Sequence, residues 1–264
     1  MSAAPKINFM KTGRVFGFGD STFVALENLD LQVDDGEFVT VVGPSGCGKS
    51  TAMNIAAGLL RPTSGQCLVD GKAVEGPGPE RGVIFQQYAL FPWLTVRQNV
   101  EFGLKLKGVS APERRRIASH YIGLVGLTDF ADALPKQLSG GMKQRCAIAR
   151  AYAVDPQVLL MDEPFGALDA LTRVRMQNQL LDTWSRERRT VMFITHDVDE
   201  AVYLANRVIV MASRPGRLQE IIEVNLPYPR TDEIRLSPEF AAIRNKVWHA
   251  VYTRSGQSSS NKEE

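Results

Sequence analysis

The run Gly43, Pro44, Ser45, Gly46, Cys47, Gly48, Lys49, Ser50, Thr51 follows the apolar stretch Phe38 to Val42 and precedes a helix-compatible segment. A G-x-x-x-x-G-K-[ST] pattern in that setting commits this part of the chain to a strand, a tight loop and a helix. Glycines at 43, 46 and 48 let successive backbone N–H groups turn inward around a β-phosphate, while the helix starting near Lys49 presents the positive end of its dipole to it. Lys49 adds a mobile ammonium for the β- and γ-phosphates. Ser50 supplies a short hydroxyl to ligate the Mg²⁺ that bridges those phosphates, with Thr51 a neighbouring donor. The segment is expected to bind a nucleoside triphosphate. A glycine turn that happens to carry a lysine is the bland alternative, and the matched positions with flanks of the correct type weigh against it.

A chain of 264 residues with 44% hydrophobic content is long enough for a large core, as one domain or one domain with a sizeable insertion. The formal net charge of +2, from 31 basic and 29 acidic residues, shows no polyelectrolyte face, so charge does not suggest a nucleic-acid partner. Cys47, Cys67 and Cys146 are too scattered for a disulfide framework or a Cys/His metal site, and a reducing compartment is expected. The first residues have no apolar signal core, and no stretch approaches the roughly 18 uninterrupted apolar residues a membrane helix requires.

Short apolar runs recur with helical segments between them: Phe38 to Val42, Val83 to Phe85, Val158 to Met161, Val191 to Ile194 and Val208 to Met211. Runs apolar on both faces predict a buried, largely parallel sheet of the α/β class. Ahead of the loop, Phe23 to Leu26 and Leu29 to Val33 are separated by polar residues and read as antiparallel material flanking that sheet. Three- and four-residue apolar spacing predicts helices over Arg97 to Lys107, Pro112 to Val125 and Met142 to Tyr152, a helical insertion in the core. Leu171 to Arg188 and Ser237 to Tyr252 are further helices, and residues 255–264 read as a disordered tail.

Phosphoryl chemistry needs a metal-orienting carboxylate and a group that activates water. Asp162, at the end of the hydrophobic run Val158 to Met161, is the candidate for orienting Mg²⁺, and Glu163 for the general base. An Asp-Glu pair alone is common on solvated loops; joined to the phosphate loop it becomes the second half of a site. Leu138, Ser139, Gly140, Gly141 and Met142 open a helix with a hydroxyl and two glycine N–H groups, a second anion site or, taken alone, a plain N-cap.

The order of phosphate loop, Gln86 after an apolar strand, the Ser139 to Met142 segment, Leu-Leu-Met-Asp162-Glu163-Pro164, Ala167-Leu168-Asp169 and Thr195-His196-Asp197 resembles the ATPase subunit of ABC transporters over about residues 14–225. The resemblance implies the ABC ATPase fold: a P-loop NTPase α/β core with a mainly parallel sheet, an antiparallel β flank and an inserted α-helical subdomain. The expected division is an ATPase domain over 1–225 with the insertion at about 87–156, followed, beyond the reach of the resemblance, by a C-terminal helical extension at 226–254 and the tail at 255–264. In that family two copies pair head to tail, so Ser139, Gly140 and Gly141 of one copy would close on the γ-phosphate held by Lys49 of the other. Gln86 would reach Mg²⁺ and the attacking water, His196 the γ-phosphate alongside Glu163, and Asp169 would couple the two sites, although Asp169 also suits an ordinary N-cap. The adenine-stacking aromatic belongs in the early β material, where Phe16 and Phe18 both qualify; the usual placement favours Phe16. The family signature usually ends in glutamine where this chain has Met142, while the serine and glycine donors remain.

Gln86 to Thr95 is too apolar for a free surface loop, and in the family it helps receive a helix from the membrane subunit; Tyr88, Phe91 and Trp93 are thus partner anchors or internal packing. Ala212 to Gly216 with Ile221 to Pro229 resembles the importers of nitrate, sulfonates and taurine. The expectation is an ATP-hydrolysing importer subunit at the cytoplasmic face of the cell membrane, partnered by integral-membrane permease subunits and indirectly by a solute-binding protein. A soluble ABC ATPase of DNA repair or translation, and a P-loop kinase, are the competing classes. The first typically carries a long coiled-coil insertion or tandem ATPase halves, and this sequence shows neither, nor a basic stripe; the second leaves Ser139 to Met142 and His196 without a role.

Overall fold

A computed structural model describes residues 4–18 and 21–256. In chain order its elements are β1 (Ile7–Phe18), β2 (Ser21–Val33), β3 (Phe38–Val42), α1 (Lys49–Ala56), β4 (Ser64–Val69), β5 (Lys72–Ala73), β6 (Arg81–Ile84), α2 (Val96–Leu106), α3 (Ala111–Leu124) and α4 (Gly140–Ala153). They continue with β7 (Val158–Asp162), α5 (Ala170–Glu187), β8 (Thr190–Ile194), α6 (Val198–Leu204), β9 (Arg207–Ala212), β10 (Arg217–Glu223) and α7 (Pro238–Gly256). The chain falls into two units, Met1–Gly78 with Leu180–Glu264, and Pro79–Gln179.

In the first unit every residue of β3 and of β8 is buried, as strands covered on both faces must be. β3 runs parallel to β8, with Phe38 opposite Val191, and parallel to β9, with Thr40 opposite Val208; β10 closes that side antiparallel to β9. Trp184 meets Phe38 edge-on at 5.9 Å and Tyr228 at 5.0 Å, filling the core beside the sheet. A second, antiparallel sheet has the order β2-β1-β4-β5. The early material is thus one continuous strand from Ser21 to Val33, not two runs. Asn28 at φ +47° takes up the polar interruption, and Lys11 at φ +46° sits where the β1 pairing slips register.

In the second unit β6 and β7 pair in parallel, Arg81 opposite Val158, and α2, α3 and α4 supply the helical part. Thr95 caps α2 with a reciprocal bond from Gln98, the local reason the helix starts there. Asn99, fully buried, donates to the carbonyls of Phe91, Leu94 and Thr95 and accepts from the Phe91 N–H at 2.9 Å, which fixes the apolar loop before α2. α7 runs to Gly256, and residues 257–264 of the expected tail lie outside the described residues. Among the described residues no helix is long and apolar enough to cross a membrane.

Candidate nucleotide site

β3 delivers the chain into the loop at Gly43, whose φ of +153° and close neighbours demand glycine. A Cβ there would stand 2.5 Å from the Met211 carbonyl oxygen and 2.8 Å from Cys47 Sγ. Gly46 lies in open space at φ +74°, and Gly48 at φ +88° occupies the N-cap of α1. With no side chain at the cap, the first N–H groups of α1 are left for an external acceptor, the arrangement an anion exploits. Lys49 arches back over the loop, its Nζ donating to the carbonyls of Gly43 (2.8 Å) and Pro44 (3.1 Å). Cys47 is fully buried and its N–H is engaged by the Pro44 carbonyl at 3.3 Å, so it shapes the loop from inside. Burial pushes its thiol upward against the opposing pull of the Lys49 ammonium. Ser45, Gly46 and Ser50 are exposed, while Pro44 and Thr51 are half-buried.

His196 leaves the end of β8, exposed, between two anchored neighbours. The Thr195 N–H donates to the Val41 carbonyl (3.3 Å), and Asp197 opens α6 by accepting from the Glu200 N–H at 3.0 Å. On the β1–β2 hairpin, Phe16 is half-buried opposite Phe23 with the Arg14 guanidinium 4.6 Å above its ring. The backbone of Phe18 belongs to β1, and its side chain lies outside the described set.

In the Pro79–Gln179 unit, β7 ends at Asp162 and is followed by Glu163 at φ +45°. That conformation is uncommon for a residue with a side chain and persists only where its surroundings over-determine it, as they do at functional sites. Gln86, past the end of β6, donates through Nε2 to Glu163 Oε2 at 3.2 Å, which brings together two of the residues singled out in the sequence. Ser139 caps α4, its Oγ accepting from the Met142 N–H at 3.3 Å. Both following glycines are closely approached by side-chain ends, since a Cβ on Gly140 would meet Tyr88 Oη at 2.9 Å and one on Gly141 would meet Leu168 Cδ2 at 3.2 Å. Asp169 caps α5 by accepting from the Thr172 N–H (2.9 Å), and that bond holds its exposed carboxyl below the usual range.

The apolar loop divides its aromatics. Phe91 packs on Phe102 with ring centroids 4.4 Å apart and Tyr88 lies against Gly140, whereas Trp93 is 71% exposed. Sequence reasoning missed Arg150, which donates from α4 to the Ala89 carbonyl at 2.7 Å and lies 5.6 Å from the Phe91 ring centre. Its only trace in the sequence is a basic residue on an otherwise apolar helical stretch.

A phosphate loop on a buried parallel strand, with paired acidic residues at the end of another, defines a phosphate-loop nucleotide-binding protein. Residues 26–166 match the family model described as ABC transporter, and the chain belongs to that family as an ATPase subunit. It is 76% identical over 254 residues to an ATP-binding protein of Brucella abortus, covering 96% of each chain. It is 54% identical over 240 residues to the nitrate import ATP-binding protein of Synechocystis, covering 89% of this chain and 90% of that one. Against an aliphatic sulfonates import ATP-binding protein of Bacillus cereus the identity is 47% over 226 residues, covering 86% and 88%. A dimeric ATP-binding cassette solved in a post-hydrolysis state with ADP and Pi has a TM-score of 0.77 at 33% identity, covering 84% of this chain and all of that one.

Proposed function

We propose that this chain is the energy-coupling ATPase of a bacterial importer for a small solute. Two copies pair head to tail, bind two ATP and Mg²⁺, close, and move a pair of membrane permease subunits between inward- and outward-facing states; hydrolysis reopens them. The population shift comes from ATP binding the closed pair better than the open one. The observation that carries the reading is the presence in one chain of an α1 N-terminus with no side-chain cap and of a Gln86–Glu163 pair whose glutamate sits in left-handed backbone.

Glu163 is the general base that polarises the attacking water, with Gln86 orienting it and reporting nucleotide state to the helices. Residues Gly43 to Thr51 cradle the phosphates, Phe16 stacks on adenine and His196 bonds the γ-phosphate. Ser139, Gly140 and Gly141 serve the nucleotide of the partner copy, and Asp169 couples the two sites while capping α5. Ser50, Asp162 and Gln86 offer only hard oxygen donors, which suit Mg²⁺ completed by phosphate oxygens; the ion supplies positive charge against the γ-phosphate. Residues 1–225 form the ATPase domain, with a helical insertion at about 87–156 and an extension at 226–254.

The relatives named for nitrate and aliphatic sulfonates support a small oxyanion as the solute. The chain then acts peripherally, at the cytoplasmic face of the membrane, with a solute-binding protein upstream and no nucleic acid involved. A strain lacking the chain, supplied with wild type or Glu163→Gln, tests the solute class by growth on nitrate as nitrogen source and on aliphatic sulfonates as sulfur source. Growth on one of the two that depends on wild type supports it; unaffected growth on both removes this solute class.

A further inference from the structure

The short helix after His196 is held from its far end by residues of the C-terminal segment. α6 has seven residues, too few to be stable by itself, and six of them are buried. At its start, the Asp197 N–H donates to Thr195 Oγ1 at 3.0 Å, which ties the helix to the strand end that carries His196. In its middle, the Ala201 carbonyl accepts from Thr40 Oγ1 at 3.2 Å, on the strand that leads into the phosphate loop.

The carbonyls at the C-terminal turn, which no helix satisfies internally, are met by two side chains. Arg230, 6% exposed, donates through Nη1 to Val202 (2.9 Å) and Tyr203 (2.6 Å) and through Nη2 to Ala205 (2.8 Å). Tyr228 Oη donates to Leu204 at 3.0 Å, and the Arg230 guanidinium stacks 4.1 Å from the Tyr228 ring centre. The grip is reciprocal, since Tyr203 Oη donates to the Arg230 carbonyl at 3.1 Å. A cation at a helix C-terminus also complements the dipole.

We propose that Arg230 is a positioning residue for ATP hydrolysis. By fixing the height and rotation of α6, it fixes where Asp197 begins the helix and therefore where His196 stands. The segment from Tyr228 to Arg230 is then a working part of the ATPase, and not only a covering of the sheet. The geometry has the logic of a clamp: Thr195 is fixed to the buried sheet on one side of His196, and α6 sets the other side through Asp197. Lysine at 230 keeps the charge and loses the planar fork that reaches three carbonyls at once. The proposal rests on the reading of His196 as a γ-phosphate ligand, and a double-mutant cycle separates the two.

Steady-state ATPase rates and ATP-analogue affinity are measured on the full chain for wild type, Arg230→Lys, His196→Ala and the double variant. We expect Arg230→Lys to lower kcat about tenfold with nucleotide affinity unchanged within about twofold, and to have no further effect in the His196→Ala background. Additive losses, or a loss expressed in nucleotide affinity with kcat intact, would make Arg230 merely structural and overturn the proposal. Full turnover in His196→Ala alone would remove the role of His196 and the proposal with it. If Arg230→Lys does not fold, Tyr228→Phe reads the same cycle, removing only the bond to Leu204. A kcat loss of about twofold that disappears in the His196→Ala background supports the clamp, and additivity overturns it.

Discussion

Glu163 sits at φ +45°, a region where a side-chain-bearing residue costs of order 1 kcal/mol or more, on the last step out of a buried strand. Glycine at that position should stabilise the fold by about 1 kcal/mol and abolish hydrolysis, the signature of strain kept for function; a urea midpoint at or below wild type contradicts it. Glu163→Gln keeps the backbone and should slow turnover about a hundredfold with ATP binding intact, measured by single-turnover hydrolysis and analogue titration. Lys49→Ala should weaken ATP binding itself, and unchanged affinity counts against the phosphate-loop assignment. Burial pushes the Cys146 thiol from its ordinary 9.0 up to about 12. A pKa raised on folding stabilises below the unfolded value and loses that contribution as pH climbs from about 9 through about 12. Cys146→Ala should therefore show a shallower fall of stability across that window, read from urea unfolding at several pH values. At this scale the phosphate loop was legible because its chemistry is contiguous, and the cap at Asp169 because aspartate before a helix has a local meaning. The strain at Glu163 and the reach of Arg150 to Ala89 were not, since neither is set by neighbours in sequence.

Among the elements, β3, β7, β8 and β9 and the helices α2 to α5 and α7 announce themselves by burial that the local sequence must already provide. β1 does not, because its apolar residues are broken by Lys11, Thr12, Gly13 and Arg14 around a register slip, and β4 begins with Ser64, Gly65 and Gln66. α6 is too short for its periodicity to show, with Asp199 and Glu200 opening an otherwise apolar seven residues, and bonds from Arg230 and Thr40 hold it from outside. The same dependence on distant partners governs the loop before α2. Asn99→Ala orphans several loop groups and should cost about 2–3 kcal/mol, seen as a lower denaturant midpoint; a change under about 0.5 kcal/mol contradicts the bonding described.

For the whole molecule, the class of fold follows from the order of the motifs, while the partner copy and the permease lie outside any single chain. Head-to-tail pairing of two copies is the central claim, because Ser139, Gly140 and Gly141 have their proposed task on the nucleotide of another chain. It is tested most directly by light scattering coupled to size exclusion on Glu163→Gln, with ATP and without Mg²⁺, so that the nucleotide is bound and not consumed. A shift from monomer to dimer mass on adding ATP, lost in Glu163→Gln carrying Ser139→Arg, is the predicted result. A Glu163→Gln protein that binds ATP yet stays monomeric, or a Ser139→Arg variant that still dimerises, contradicts it.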